Sequence, residues 1–223
     1  MSENSTLLHD LSDVTIRRAV VSEMANNVYL ITAKATGAQV LIDAAADPEA
    51  IKSLFADAEA DSEKAIRPAL IATTHQHWDH VRALADMVAH TGAQTAAGVE
   101  DVASIKEQTG VGTDVLLGHG DVGNFEGFDL TSVHLRGHTP GSIALVLRDS
   151  DGTTVIFSGD SLFPGGVGNT QQDPARFTSL LNDVESRIFG VYPDDAIVLP
   201  GHGKTTTLGA ERPHLAEWRL RGW

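Results

Sequence analysis

The sequence predicts an α+β domain in two halves, each built of strands and helices. Three observations carry that expectation. Short apolar runs end in turn-forming residues, as strands do. Between them stand segments whose apolar residues recur at helical spacing. A hydrophobic content of 42% in 223 residues supplies a substantial core without disulfide staples. No Pro- or Ser-rich linker divides the chain, so residues 1–223 are read as a single domain.

The opening runs at residues 14–20, 28–32 and 39–42 read as strands. Asp47 followed by Pro48 reads as an N-cap and first helical turn, because Asp accepts from orphan N–H groups and Pro has no N–H to orphan. Pro68-Ala69-Leu70-Ile71-Ala72-Thr73-Thr74 is short enough for a buried strand, and Val81, Leu84, Ala85 and Val88 after it recur at helical spacing. Residues 94–97 suggest another strand and residues 99–108 a helix stopped by Gly110, where the first half closes. In the second half, residues 129–135, 142–147, 153–157 and 196–199 read as strands, with a hairpin-like turn at 149–152. Asp173-Pro174 starts a helix with Phe177, Leu180, Leu181, Val184 and Ile188 on one face, a stripe suited to core packing, and it ends near Gly190. Residues 211–218 read as a terminal capping helix with Trp218 packed on the body. Two halves of this kind are what an αββα sandwich needs.

Chemistry concentrates in His75-Gln76-His77-Trp78-Asp79-His80, at a strand-to-helix junction. Ligands two apart in an extended turn point the same way, while Asp79 and His80 at the helix start reach a second point nearby, so one hexapeptide can serve two metals. Three other segments put a ligand residue where a strand gives way to a Gly-rich turn: Gly137-His138-Thr139-Pro140-Gly141, Ser158-Gly159-Asp160 and Pro200-Gly201-His202-Gly203. Ligands of open α/β sheets gather at the carboxyl ends of strands, which puts these turns along one edge. Taken singly, each has an ordinary explanation: a turn at His138, a cap at Asp160, a loop at His202. Three histidines and an aspartate within six residues do not, and they draw the other three segments in. His9, His90, His119, His134 and His214 lack a comparable setting and are read as structural or solvent-exposed. His134 alternates with Ser132 and Arg136, facing away from Val133 and Leu135.

In order and spacing, His-x-His-x-Asp-His followed by His138, Asp160 and His202 resembles the metallo-β-lactamase fold superfamily, from about residue 14 to the C-terminus. The arrangement looks like its glyoxalase II branch. The resemblance implies a four-layer αββα sandwich, and the pairing of the halves rests on it, since they show no sequence self-similarity. It also implies a ligand set: His75, His77 and His138 for one metal, Asp79, His80 and His202 for the other, and Asp160 bridging both. Asp79 and Asp160 are the implied catalytic carboxylates. Two divalent metal ions are the expected cofactors, with zinc first and iron or manganese compatible with the same ligands.

Two such cations lower the pKa of a bridging water towards about 7 and polarise a carbonyl, so that metal-bound hydroxide attacks a thioester, ester, lactone or lactam. No serine sits in a nucleophile elbow, which removes serine hydrolase chemistry. Residues 137–141 and 158–163 resemble the glyoxalase II group, which hydrolyses hydroxyacyl-glutathione thioesters; thioester hydrolysis is therefore the first expectation. Two departures qualify it. The stretch after His202 is too short for the helical domain that binds glutathione in larger members, which leaves the thiol carrier open. Phe163-Pro164-Gly165-Gly166-Val167-Gly168-Asn169-Thr170 stands where many relatives have Gly-Arg-Thr-Asp, so an Arg and an Asp are replaced. A persulfide dioxygenase with a single iron and a lactonase are the alternatives; retention of all seven ligand residues disfavours a noncatalytic metal-binding protein.

A formal charge of −14, from 16 basic and 30 acidic residues, opposes attraction to phosphate backbones and anionic lipid surfaces. The expected partner is a small-molecule substrate, with no nucleic acid and no membrane. Cysteine is absent, which excludes resemblance to lactamases that use one in the second metal site and offers no disulfide evidence of an oxidising compartment. Residues 1–10 lack the basic and apolar regions of a secretion signal, and no apolar stretch approaches the roughly 20 residues of a membrane span. The expected location is the cytoplasm; the oligomeric state is open.

Overall fold

The computed structural model describes residues 5–222, so the first four residues of the N-terminal segment discussed above lie outside the described residues. Seven strands form the first sheet in chain order: β1 (Ser5–Asp10), β2 (Val14–Val21), β3 (Asn26–Ala33), β4 (Ala38–Ile42), β5 (Arg67–Thr73), β6 (Gln94–Gly98) and β7 (Val115–Leu117). Pairings are antiparallel from β1 to β4 and parallel from β4 to β7. Parallel neighbours need crossovers, and three helices provide them: α1 (Pro48–Asp57), α2 (Leu84–Thr91) and α3 (Val102–Thr109).

The second half contributes β8 (Val122–Asn124), β9 (Asp129–His134), β10 (Ile143–Arg148) and β11 (Thr154–Gly159), then a small ribbon of β12 (Leu162–Phe163) and β13 (Gly166–Val167). α4 (Pro174–Val184) leads to β14 (Ile197–Pro200) and β15 (Thr206–Thr207), and α5 (Leu208–Glu211) and α6 (Leu215–Arg221) close the chain. Six of these strands make the second sheet, in the order β15-β14-β11-β10-β9-β8.

Strand alternation sorts the apolar side chains into three cores. Along the fully buried β3, Val28 and Leu30 join Ile51, Leu54, Met87 and Ile105 of the helices, while Tyr29 and Ile31 meet Leu145, Phe157 and Leu199 of the opposite sheet. Tyr29 and Phe157 touch edge to face across the sheets at 5.4 Å. On the far side of the second sheet, Val146, Ile156 and Val198 bury Phe177, Leu180, Leu181 and Val184 of α4 together with Trp218 of α6. The layers run helix, sheet, sheet, helix. Each fully buried Leu or Ile contributes roughly 1.5–3 kcal/mol relative to exposure.

Two expectations are corrected. Helical spacing after the hexapeptide begins at Val81, yet the chain first makes a 3-10 turn at Trp78–His80 and α2 starts only at Leu84. There Ala83 N–H donates to Ala44 O at 3.0 Å instead of propagating a helix. The first half also does not close at Gly110, because β7 follows it and pairs with β6 in parallel. The Asp47 cap is present, its carboxylate accepting from Ala50 N at 3.1 Å. Among the described residues, no helix is long and apolar enough to cross a membrane.

Candidate metal centre

One edge of the sandwich collects the ligand residues from both sheets. β5 runs out at Thr73 and delivers His75 and His77; the 3-10 turn then buries Asp79 and His80. From the second sheet come His138, in the turn between β9 and β10, Asp160 directly after β11, and His202 after β14. All seven sequence-predicted ligands meet here. Three groups of ligand atoms lie within 4.8 Å of one another: His75, His77 and His138; His75, His80 and Asp160; Asp79, His80 and His202. Among the described residues, no other such group occurs.

Asp160 lies between the groups. Its Oδ1 is 3.5 Å from His80 Nε2, and its Oδ2 is 3.6 Å from His138 Nε2 and 3.5 Å from His202 Nε2. Asp79 Oδ2 is 3.2 Å from His202 Nε2. Backbone shape permits this closeness: a Cβ on Gly201 would fall 2.3 Å from Asp160 Oδ1, and one on Gly159, where φ is +49°, would strike Thr74.

The ring tautomers show which nitrogens are free to ligate. His138 Nδ1–H donates to Asn169 O at 2.8 Å, and His202 Nδ1–H to Met24 O at 2.9 Å. Thr74 Oγ1 donates to Asp43 and so accepts from His75 Nδ1–H at 3.1 Å. A neutral ring that donates through Nδ1 presents a bare lone pair at Nε2. His75 Nε2, His138 Nε2 and Asp160 Oδ1 are buried without any hydrogen-bond partner. Each such orphan costs about 1–3 kcal/mol, and a cation accepting their lone pairs removes the cost. The imidazole and carboxylate donors fit zinc, iron or manganese.

Electrostatics suit ligation at five of the seven residues. Burial holds the His75 imidazole well below its usual range, pushes His77 down and brings His138 to about 4, so all three are neutral near pH 7. Asp79 and Asp160 stay ionised: burial opposes their charge, but His202, Asn26 and His80 outweigh it for Asp79, and His202, His80 and His138 for Asp160. His202 is raised to about 10, its burial overcome by Asp160 and Asp79. Its Nε2 lies 3.1 Å from His80 Nε2. Metal binding at such a site displaces protons.

Three supporting residues escaped the sequence reading. Asp43 accepts from Thr74 N at 2.7 Å, Thr74 Oγ1 at 2.8 Å and His80 Nδ1 at 2.9 Å, a carboxylate–histidine contact that orients the ring. Asn26 Nδ2 donates to Asp79 Oδ2 at 2.9 Å. Asp101 accepts from the segments carrying His77 and His138. Asp43 had a signal, since it follows the apolar run Val40-Leu41-Ile42 as Asp160 follows its own; the other two had none. His134 lies apart, its Nε2–H donating to Pro140 O at 2.7 Å. A cleft of about 600 Å³ opens beside His77 and His138 and is lined also by Gln76, Arg136, Gln171 and Arg176.

Residues 21–202 match the family described as the metallo-beta-lactamase superfamily. Hydroxyacylglutathione hydrolase GloC of Haemophilus influenzae is 31% identical over 157 residues, 64% of this chain and 72% of that protein. The mitochondrial persulfide dioxygenase ETHE1 of Mus musculus is 27% identical over 191 residues, 85% of this chain and 68% of that protein. A solved structure of TTHA1623 in a di-iron-bound form superposes with a TM-score of 0.68 at 29% identity, covering 87% of this chain and 96% of that one. With its four layers, its strand-end ligand groups and this match across most of its length, the chain belongs to the metallo-β-lactamase superfamily.

Proposed function

We propose that the protein is a binuclear metal-dependent hydrolase acting on thioesters. His75, His77 and His138 would hold one cation and Asp79, His80 and His202 the other, with Asp160 standing between the two groups. The carrying observation is the position of Asp160, whose two oxygens face His80 on one side and His138 and His202 on the other at 3.5–3.6 Å. The likeness to a hydroxyacylglutathione hydrolase supports a thioester as substrate.

Cations bound there supply Lewis-acid polarisation of a carbonyl and lower the pKa of water. The protein's own groups do the rest. His75, His77 and His138 are already neutral and give up lone pairs without first losing a proton. Asp79 and Asp160 bring charge that is already ionised. Asn26 holds Asp79 in place, and Asp43 fixes the ring of His80. The cleft beside His77 and His138 receives the acyl group, with Gln76, Gln171 and Arg176 along its wall.

Elemental analysis of protein purified without added metal, joined to a thioester hydrolysis assay on the same sample, tests the reading. Near two metals per chain with turnover is the expected result. A chain that takes up two zinc ions yet hydrolyses no acyl thioester would sink it.

One observation favours a second reading, a persulfide dioxygenase with a single iron. The three orphaned atoms belong to two histidines and one carboxylate, a donor set suited to non-haem iron, whereas Asp79, His80 and His202 already satisfy one another. One iron per chain with sulfite formed from a persulfide selects this reading. Asp79→Ala separates the two, because it removes hydrolysis and spares a single-iron dioxygenase.

A further inference from the structure

We infer that Asp101, which belongs to neither ligand group, is a positioning residue for the His75, His77 and His138 group alone, tying the turn that carries His75 and His77 to the turn that carries His138. The inference rests on the metal-site reading above and adds a control point to it.

Asp101 ends the 3-10 turn Val99–Asp101 at the start of α3 and is completely buried. Its carboxylate accepts three hydrogen bonds. Oδ2 takes Gln76 N–H at 2.9 Å and Thr139 Oγ1–H at 2.6 Å; Oδ1 takes Gly141 N–H at 2.7 Å. Gln76 lies between His75 and His77, and Thr139 follows His138. One side chain therefore joins backbone segments that are 25 and 38 residues away from it in sequence. Three bonds from one carboxylate to two turns hold those turns in register.

The packing around Asp101 is specific. A Cβ on Gly141 would lie 2.6 Å from Asp101 N and 2.8 Å from its Cγ, and one on Gly98 would lie 2.0 Å from Gly141 O. Two glycines thus let the His138 turn press directly against Asp101. The second ligand group is served differently. Asp43 bonds both Thr74, beside His75, and His80, and so touches both groups. Asp101 makes no hydrogen bond to residues 79–80, 160 or 202 among the described residues. Asp43 couples the two groups, and Asp101 governs one.

Zinc binding by the full chain, measured by competition with a chromophoric chelator, tests this without reference to activity. In an Asp79→Ala background, where the His75, His77 and His138 group is left to hold zinc, adding Asp101→Ala is expected to weaken that zinc by about 10-fold or more. In a His77→Ala background, where the other group holds zinc, the same change should leave the affinity as it was. A residue serving only overall stability would lower both alike, and the double-mutant comparison separates the cases. Thr139→Val, which removes one of the three bonds, should act in the same direction by a smaller factor and stands in if Asp101→Ala does not fold. Equal effects in both backgrounds, or no effect in the Asp79→Ala background, overturns the inference. A wild-type chain that binds a single zinc would instead unseat the two-cation hydrolase, and the Asp101 comparison still applies to that one ion.

Discussion

Replacing Gly201 by Ala puts one methyl group into the middle of the ligand cluster. The new Cβ would stand 2.3 Å from Asp160 Oδ1 and 2.7 Å from His80 Cε1, where ordinary contact is 3.4–4 Å. Gly201 is not among the glycines at positive φ, so its backbone accepts Ala and only the collision is tested. Retreat is blocked on both sides of the peptide: Gly201 N–H donates to Gly159 O at 2.9 Å, and Gly201 O accepts from Asn27 N at 2.8 Å. His80 is fully buried and held by Asp43, so relief comes from turning the Asp160 carboxylate away. Overpacking of this kind costs about 1–3 kcal/mol of stability, and a displaced shared ligand lowers zinc affinity by a factor on the order of 10–100. Chelator competition reads the affinity, and melting of the metal-free protein reads the stability. Gly112→Ala is the control, since nothing lies within 4 Å of its added Cβ, and it should shift stability by less than about 1 kcal/mol. A Gly201→Ala protein that binds two zinc ions with wild-type affinity would refute the idea that Asp160 and His80 are ligands seated by this glycine.

Asp43→Ala should weaken zinc at both groups by about 10–100-fold, because the carboxylate holds His80 Nδ1 and Thr74 together; two-step chelator titration checks it, and loss at one group only contradicts it. Asp79→Ala should abolish thioester hydrolysis with an unchanged far-UV circular dichroism spectrum, and retained turnover would discard the binuclear mechanism. His134→Ala, which loses a bond to Pro140 O outside the cluster, should leave turnover within a few-fold of wild type, by comparison with near-complete loss in His138→Ala; equal losses would show that the ligand set is wrong. Acid sensitivity follows from Asp183. Burial opposes its charge, but its bonds from Arg136 and the charge of Arg187 outweigh that and hold the carboxyl below its usual range. The native state then binds fewer protons than the unfolded chain near pH 4, so the contribution is complete above the unfolded value of about 3.9 and is lost as pH falls through the lower folded value. Urea melts from pH 5 downward should show a shallower decline for Asp183→Asn than for wild type; parallel curves would remove Asp183 from the account.

The hexapeptide was legible because three histidines and an aspartate within six residues are a dense chemical signature, and the burial of His75, Asp79 and His80 follows from position at a strand end. The buried strands were legible for a similar reason: β3 and β4 are covered on both faces, and apolar residues run unbroken from Val28 to Ile31 and from Val40 to Ile42. Edge elements carry no such imprint. β1, Ser5–Asp10, is mostly half-buried or exposed and mixes polar with apolar residues, and β7 and β8 have three residues each, too few for a period to show. The late start of α2 was hidden because Val81 belongs to the core while its backbone is still in the turn. Asp101 is the strongest case. Its three partners lie 25–40 residues away, and no local pattern distinguishes it from the surface acids Glu100 and Glu107 nearby.

Each ligand group draws on both sheets. His75 and His77 leave the first sheet and His138 the second; Asp79 and His80 leave the first and His202 the second; His75 and His80 meet Asp160 from the second. No group is complete within one layer. Polar contacts at the same edge already cross the gap, with Ile143 N donating to Thr74 O at 2.9 Å, Asn27 Nδ2 to Pro200 O at 2.9 Å and Tyr29 OH to Pro200 O at 2.7 Å. A cation held by these residues would therefore act as a further cross-link between the layers, whichever chemistry it serves. Ligand that binds only the folded state stabilises it by about 4 kcal/mol at a thousandfold excess over its dissociation constant. The orphaned atoms of His75, from the first sheet, and of His138 and Asp160, from the second, lie at the seam between the layers, so the lone pairs that would hold a cation come from both.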